Sequence, residues 1–188
     1  MPHIELGNDA PGIVGLMLYR PDTAKVLNEL AEILLRGENT LTRGERELIA
    51  SYVSDLNRCR FCHGSHAAFA AAQLPGGAET VAQACADLDT ADISAKMKAL
   101  LRVAGAVQRI GTDVTAALVE AARENGATDR EIHDTVLIAA AFCMYNRYVD
   151  GLGTYAPEDP KAYEEMAGLI VERGYGASVA ARQEASAG

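Results

Sequence analysis

The sequence predicts an all-α fold. Apolar residues recur at three- and four-residue spacing along nearly the whole chain, while runs of alternating apolar and polar residues are missing. Thr42 with Glu45, and Thr128 with Glu131, have the Thr-x-x-Glu form of a capping box in front of an apolar stripe. Glycine, proline or asparagine stands where the stripes stop. Capped helices joined by short connections predict a compact bundle.

Taken in order, Val26, Leu27, Leu30, Ile33 and Leu34 form a first stripe, ended by Gly37. Leu48, Ile49, Tyr52, Val53 and Leu56 form a second. Asn57 and Arg58 interrupt the pattern, and a further helix is expected from about Cys59 to Leu74, where Pro75, Gly76 and Gly77 stop it. Ile93, Met97, Leu100, Leu101, Ala104 and Val107 make a stripe closed by Gly111; Val114, Leu118 and Ala121 make a shorter one closed by Asn125 and Gly126. The second capping box opens a long helix through Ile132, Val136, Ile138, Phe142 and Tyr145. After a turn region with Pro157 and Pro160, a last helix through Tyr163, Met166 and Ile170 ends near Gly174. Residues 1–175 read as one domain, and 176–188, small and polar, as a mobile tail.

Composition bounds the function. A chain of 188 residues, 49% hydrophobic, is long enough for one real core; chains of this size bury roughly 70% of the surface they expose when unfolded. Such a core needs no disulfide staples, so Cys59, Cys62, Cys85 and Cys143 fit a reducing cytoplasm better than an exported scaffold. The first twenty residues lack a basic start, an apolar run and a small-residue cleavage site, so no export is expected. The longest apolar stretch, Val136 to Tyr145, is ten residues, too short for a membrane span. A net charge of −9 and a pI near 4.9, with no basic cluster, argue against nucleic acid as a partner.

The chemistry concentrates in CRFCHGSH, residues 59–66. Three chemistries want such a stretch. Cys59, Cys62 and His63 match the C-x-x-C-H pattern of covalent haem attachment, but that attachment follows export, and few aromatic residues are present to line a haem pocket. Cys59, Cys62 and His66 or His63 would serve as zinc ligands, but a structural site needs a fourth ligand and no second C-x-x-C exists; a catalytic zinc would need only three. The third chemistry is a redox dithiol, which needs a close thiol pair, an acidified thiol, a proton acceptor and a group to orient it. On a helix Cys59, Cys62 and His66 share a face, whereas His63 points about 100° away from Cys62. Cys59 stands at the helix start, where unpaired N–H groups favour a thiolate.

The orienting group is expected from the preceding helix. If the two helices fold back about Asn57 and Arg58, Glu47 lies about 16 Å behind the turn and His66 about 12 Å beyond it, a mismatch that a glutamate side chain spans. Glu47 sits on or beside the apolar stripe of Leu48 and Ile49, an awkward place for a carboxylate without a partner. The plain alternative is a solvated helix residue. Glu45 is accounted for by the capping box.

ERELIASYVSDLNRCRFCHGSH resembles the signature of the AhpD-like family, the alkylhydroperoxidase D and carboxymuconolactone decarboxylase superfamily, and most of all its peroxidase-related branch. That signature is a Glu, a C-x-x-C twelve positions later and a His four after the second Cys; Glu47, Cys59, Cys62 and His66 satisfy every interval. DREIHDTVLIAAAFCMYNRYVDGLG is similar to the family's second helical segment, with Asn146, Arg147, Asp150 and Gly151 in order. The two segments bracket the chain from about Thr42 to Gly153. The resemblance implies an all-helical trimer or hexamer acting as a thiol-dependent peroxidase, or as a disulfide reductase of the same fold. Cys62 would attack the peroxide and Cys59 would resolve the sulfenic acid, with Glu47 and His66 as proton relay. No cofactor is implied; the partners would be a peroxide and an external dithiol, a lipoyl-bearing or thioredoxin-like donor.

Helix-terminus logic alone would favour Cys59 as the activated thiol, but His66, one turn from Cys62, favours Cys62. The chain departs from well-studied members in having Phe61, not His, between the cysteines. Members that decarboxylate carboxymuconolactone generally lack the C-x-x-C, so the paired thiols weigh against that reaction. Elsewhere, Arg147 and Asp150 have the spacing of a pair that braces a helix, Cys85 and Cys143 read as small buried apolar residues, and His133 as a helix-surface residue. Tyr19, Tyr52 and Tyr145 are candidate core or pocket walls.

Overall fold

The computed structural model describes residues 1–177, so eleven of the thirteen residues of the expected tail lie outside the described part. Among the described residues all regular structure is helical: α1 (Gly12–Tyr19), α2 (Pro21–Arg36), α3 (Arg43–Leu56), α4 (Arg60–Ala71), α5 (Gly77–Ala86), α6 (Ala95–Arg109), α7 (Ala116–Glu124), α8 (Asp129–Gly151) and α9 (Pro160–Arg173), with a 3₁₀ turn at Gly111–Asp113. The expected all-α class holds, and among the described residues no helix is long and apolar enough to cross a membrane.

Both capping boxes form. Thr42 accepts from the Glu45 N–H at 3.2 Å while Glu45 takes the Thr42 N–H at 2.8 Å, and Thr128 with Glu131 repeats the exchange at the head of α8. Glu131 is also an interior anchor, bonded to Lys96 Nζ at 2.8 Å and the Thr40 hydroxyl at 2.9 Å. Burial pushes the Glu131 carboxyl up, but Lys96, the Thr128 N–H and Thr40 outweigh it and hold the carboxyl below the ordinary glutamate range. A depressed folded-state value stabilises the fold above the unfolded value and loses that contribution as pH falls through the folded one. Glu131→Gln is therefore expected to flatten the fall in urea midpoint between pH 7 and about pH 3.5, just under the free glutamate pKa of about 4.3.

The structure adds two helices and corrects two expectations. α1 and α5 are the additions: GIVGLMLY is apolar on every face, and GAETVAQACA, which buries Val81 and Ala84 and exposes Glu79, is alanine-rich and starts inside the Pro75-Gly76-Gly77 stop. α4 is shorter than expected, with Cys59 as N-cap and the last turn unwinding after Ala71. α8 takes its expected course through Tyr145 and ends at Gly151, before the turn region. The stripe on α2 is rotated, because Val26 and Ile33 are 63% and 68% exposed while Ala24, Ala31, Leu34 and Leu35 are buried. Small alanines, discounted in reading the pattern, mark the true inner face.

The main core joins Leu35 of α2, Leu48, Ile49 and Val53 of α3, Leu100 and Leu101 of α6, and Ile138 and Phe142 of α8. A smaller cluster of Ala10, Val14, Phe61 and Val149 encloses the two thiols of CRFCHGSH. α3 and α4 form an antiparallel hairpin, covered by α8 and α9. Gly12 (φ +52°) brings α1 onto that hairpin; a Cβ there would lie 2.1 Å from the Phe61 ring.

Candidate active site

The hairpin turn is tight. Asn57 N–H donates to Val53 O at 3.0 Å, Arg58 N–H to Asp55 O at 2.8 Å and Cys59 N–H to Ser54 O at 3.0 Å, with Arg58 in the left-handed region at φ +60°. Side chains brace it from outside: Asn57 Nδ2 donates to Asn146 Oδ1 (2.8 Å), Asn146 Nδ2 to Ser54 Oγ (3.0 Å), and Gln108 Nε2 to Asn57 Oδ1 (3.0 Å). Asn146 thus locks α8 to the turn that carries the first cysteine. The expected Arg147–Asp150 brace is replaced by Arg147 Nη1 donating to Cys143 O, while Asp150 lies beside the Cys59 thiol.

Both cysteines of the pair are thiols and buried, Cys59 at 0% and Cys62 at 3% exposure. The Cys59 thiol is pushed far above the ordinary thiol range, first because its S–H donates to the Cys62 sulfur, then by burial and by any charge on Cys62. The Cys59 thiol therefore resists ionisation, and Cys62 is the thiol that lines the pocket with His66. With the chain reduced at pH 8, limited iodoacetamide is expected to label Cys62 before Cys59. Cleavage after Arg58 and Arg60 separates the two for peptide mass spectrometry. Cys85, raised to about 12 by burial, should lag as well.

Glu47, predicted as partner of His66, meets it. Glu47 is 1% exposed and its Oε2 accepts from His66 Nδ1 at 2.7 Å. A carboxylate there fixes the imidazole as the Nδ1–H tautomer and leaves Nε2 as the acceptor. The ring is packed edge-on against Phe69 (centroids 5.1 Å, 68°) and Phe142 (4.5 Å, 84°). Cys62, Ser65 and His66 share one face of α4 and open on a pocket of about 60 Å³, walled by Ile13, Met17, Phe61, Phe142, Tyr145 and Met166. His63 looks the other way: its Nδ1 lies 3.3 Å from Ser51 O and Oγ, and it lines a separate groove among α4, α5 and α9. His133 is exposed beside Asp134, and Cys85 and Cys143 are only partly buried.

Tyr175 is the site residue that the sequence reading missed. It is 8% exposed, its hydroxyl donates to Glu47 Oε1 at 2.5 Å, and its ring lies nearly parallel to His66 (centroids 6.1 Å, 18°). The only signal was an aromatic residue between Gly174 and Gly176, just past a helix stop.

A zinc site needs three or more converging donors, and among the described residues no group of three His, Cys, Asp or Glu side chains is placed to hold a metal ion. The donors of residues 59–66 are instead divided between two faces of α4, His63 on one and His66 with Cys62 on the other.

Comparison with known proteins follows the same outline. The model of the carboxymuconolactone decarboxylase family matches residues 21–106, from α2 through most of α6. No curated protein sequence matches. Among solved structures, the chain is similar to the alkylhydroperoxidase AhpD core of an uncharacterized peroxidase-related protein from Ralstonia eutropha: 27% identity, TM-score 0.74, covering 84% of this chain and 81% of that one. An uncharacterized peroxidase-related protein from a Silicibacter species shares the fold at 24% identity and TM-score 0.73, over 82% of this chain and 78% of that one. Matched through the hairpin that carries the thiols and in fold over most of its length, the chain is similar to the carboxymuconolactone decarboxylase family and to peroxidase-related proteins with the alkylhydroperoxidase AhpD core.

Proposed function

We propose that this protein is a thiol-dependent peroxidase that reduces alkyl hydroperoxides or related peroxides through Cys62 and Cys59. The observation that carries the reading is the buried Glu47–His66 pair at 2.7 Å, with His66 and Cys62 on one apolar pocket. His66 Nε2 takes the Cys62 proton; the thiolate attacks one peroxide oxygen and the O–O bond breaks. Cys62 becomes a sulfenic acid, and the leaving alkoxide collects the proton from His66 to depart as alcohol. Cys59 thiol then attacks the Cys62 sulfur, forming the disulfide and releasing water. An external dithiol, lipoyl-bearing or thioredoxin-like, regenerates both thiols by exchange and leaves as its own disulfide. A reducing compartment such as the cytoplasm supplies such a donor.

Assembly as a trimer or hexamer belongs to the same proposal, and Val26, Ile33, Met144 and Tyr19 are large exposed apolar residues that a second copy would cover.

The test is a titration of the reduced chain with cumene hydroperoxide, reading free thiols and alcohol product. Loss of two thiols per alcohol formed, reversed by dihydrolipoamide, supports the proposal. Unchanged thiols under a tenfold excess of peroxide would sink it.

A further inference from the structure

We propose that Tyr175 is a positioning residue, whose phenol pins Glu47 as a charged acceptor so that His66 can hold the Cys62 proton; this rests on reading Glu47 and His66 as the relay of Cys62. Among the described residues, hydrogen bonds to the Glu47 carboxylate come from two side chains, His66 on Oε2 and Tyr175 on Oε1. Around them stand Arg46 on the same helix, whose Nη1 donates to Leu34 O, Glu32 and Arg36 on α2, and Asp134 and Tyr145 on α8, the latter donating to Leu27 O. None of these reaches the Glu47 oxygens. Among the described residues, Tyr175 is the side chain that hydrogen-bonds the second oxygen.

The phenol is held there by a dedicated clamp. Arg36 Nη1 donates to Ile170 O and Val171 O at 2.9 Å each, closing the end of α9, and its Nε bonds Glu32 Oε1 at 2.8 Å. Glu32 Oε2 accepts the Tyr175 N–H at 3.0 Å. Gly174 (φ +88°) makes the bend, and a Cβ there would stand 2.6 Å from Glu32 Oε2. α2, which contributes no relay residue, thereby sets the position of the phenol.

The consequence for proton transfer follows from competition for one proton. When His66 receives the Cys62 proton it carries N–H on both nitrogens, and the Nδ1 proton sits between imidazole and carboxylate. A carboxylate bonded twice has less need of that proton, so the imidazolium persists beside the thiolate. With one bond removed, Glu47 takes the Nδ1 proton, the ring is neutral, and the thiolate loses its counter-charge. Burial, followed by the Glu47 charge and hydrogen bond, pushes the Tyr175 phenol well above its ordinary range, so it donates throughout the working pH.

The experiment is the pH profile of iodoacetamide alkylation at Cys62 in the full chain, read by peptide mass spectrometry. Tyr175→Phe is expected to move the midpoint up by about one pH unit, roughly tenfold slower labelling near neutrality, with convergence at alkaline pH. In a Glu47→Gln background the same change should add nothing. 3-Fluorotyrosine at 175, a stronger donor of nearly the same shape, should move the midpoint down, and this readout stands even if the phenylalanine variant folds poorly. Superimposed profiles, equal slowing at every pH, or an undiminished effect in the Glu47→Gln background would each overturn the proposal. Failure of the peroxidase reading shows elsewhere, as unchanged thiols under peroxide, which alkylation does not measure.

Discussion

Cys62→Ser is expected to lower peroxide turnover by about 10³-fold or more, to the level of the uncatalysed reaction with the added dithiol. Serine keeps nearly the same volume in the apolar pocket but cannot form a thiolate, and no other described cysteine lines that pocket. Cys59→Ser should behave differently. Turnover is lost, yet one equivalent of peroxide is still consumed, because Cys62 and His66 remain in place. Treatment with dimedone after peroxide should trap a sulfenic acid at Cys62 in Cys59→Ser and none at Cys59 in Cys62→Ser. The asymmetry has a structural reason: Cys62 lines the pocket with His66, whereas Cys59 does not, and the Cys59 thiol is pushed up. A sulfenic acid trapped at Cys59 would reverse the roles.

Glu47→Ala should carry the largest stability cost of any single change in the site. It strips the partner from two buried donors, His66 Nδ1 and the Tyr175 hydroxyl, and opens a cavity between α3 and the end of α9. Breaking a buried pair by removing one member costs about 3–5 kcal/mol, and loss of a positioned acid–base group costs about 10²–10⁴ in rate. Urea denaturation with an activity assay on the folded fraction separates the two effects. Replacing all three residues together, Glu47→Leu, His66→Phe and Tyr175→Phe, should restore most of the stability and none of the activity, since apolar packing tolerates the site better than half of a polar network does. A triple variant as unstable as Glu47→Ala would show that the network itself holds the fold.

Helices with an amphipathic stripe and a cap, α3 and α8 above all, are legible because period and capping chemistry are local. α1 is not, since a helix apolar on all sides has no polar face to set its period, and the short α5 begins inside a Pro-Gly-Gly stop. Val26 and Ile33 misled for the opposite reason: side-chain hydropathy favours burial, but the face α2 buries is set by what it packs against.

The spacing Glu47–Cys59–Cys62–His66 made a shared helical hairpin plausible, because each interval is a count of helical turns about a single tight bend, and the family resemblance pointed to the same four residues. Sequence by itself therefore determined the all-helical class, the hairpin and the residues brought together across it. Tertiary structure alone decided which oxygens of Glu47 are used, that His63 turns to another groove, that Asn146 braces the bend, and that Tyr175 returns past the end of α9 to the carboxylate. Contacts within a helix or across one turn follow from a rise of about 1.5 Å per residue. A contact between Tyr175 and Glu47 depends on how α2, α3 and α9 pack, and no local period encodes that.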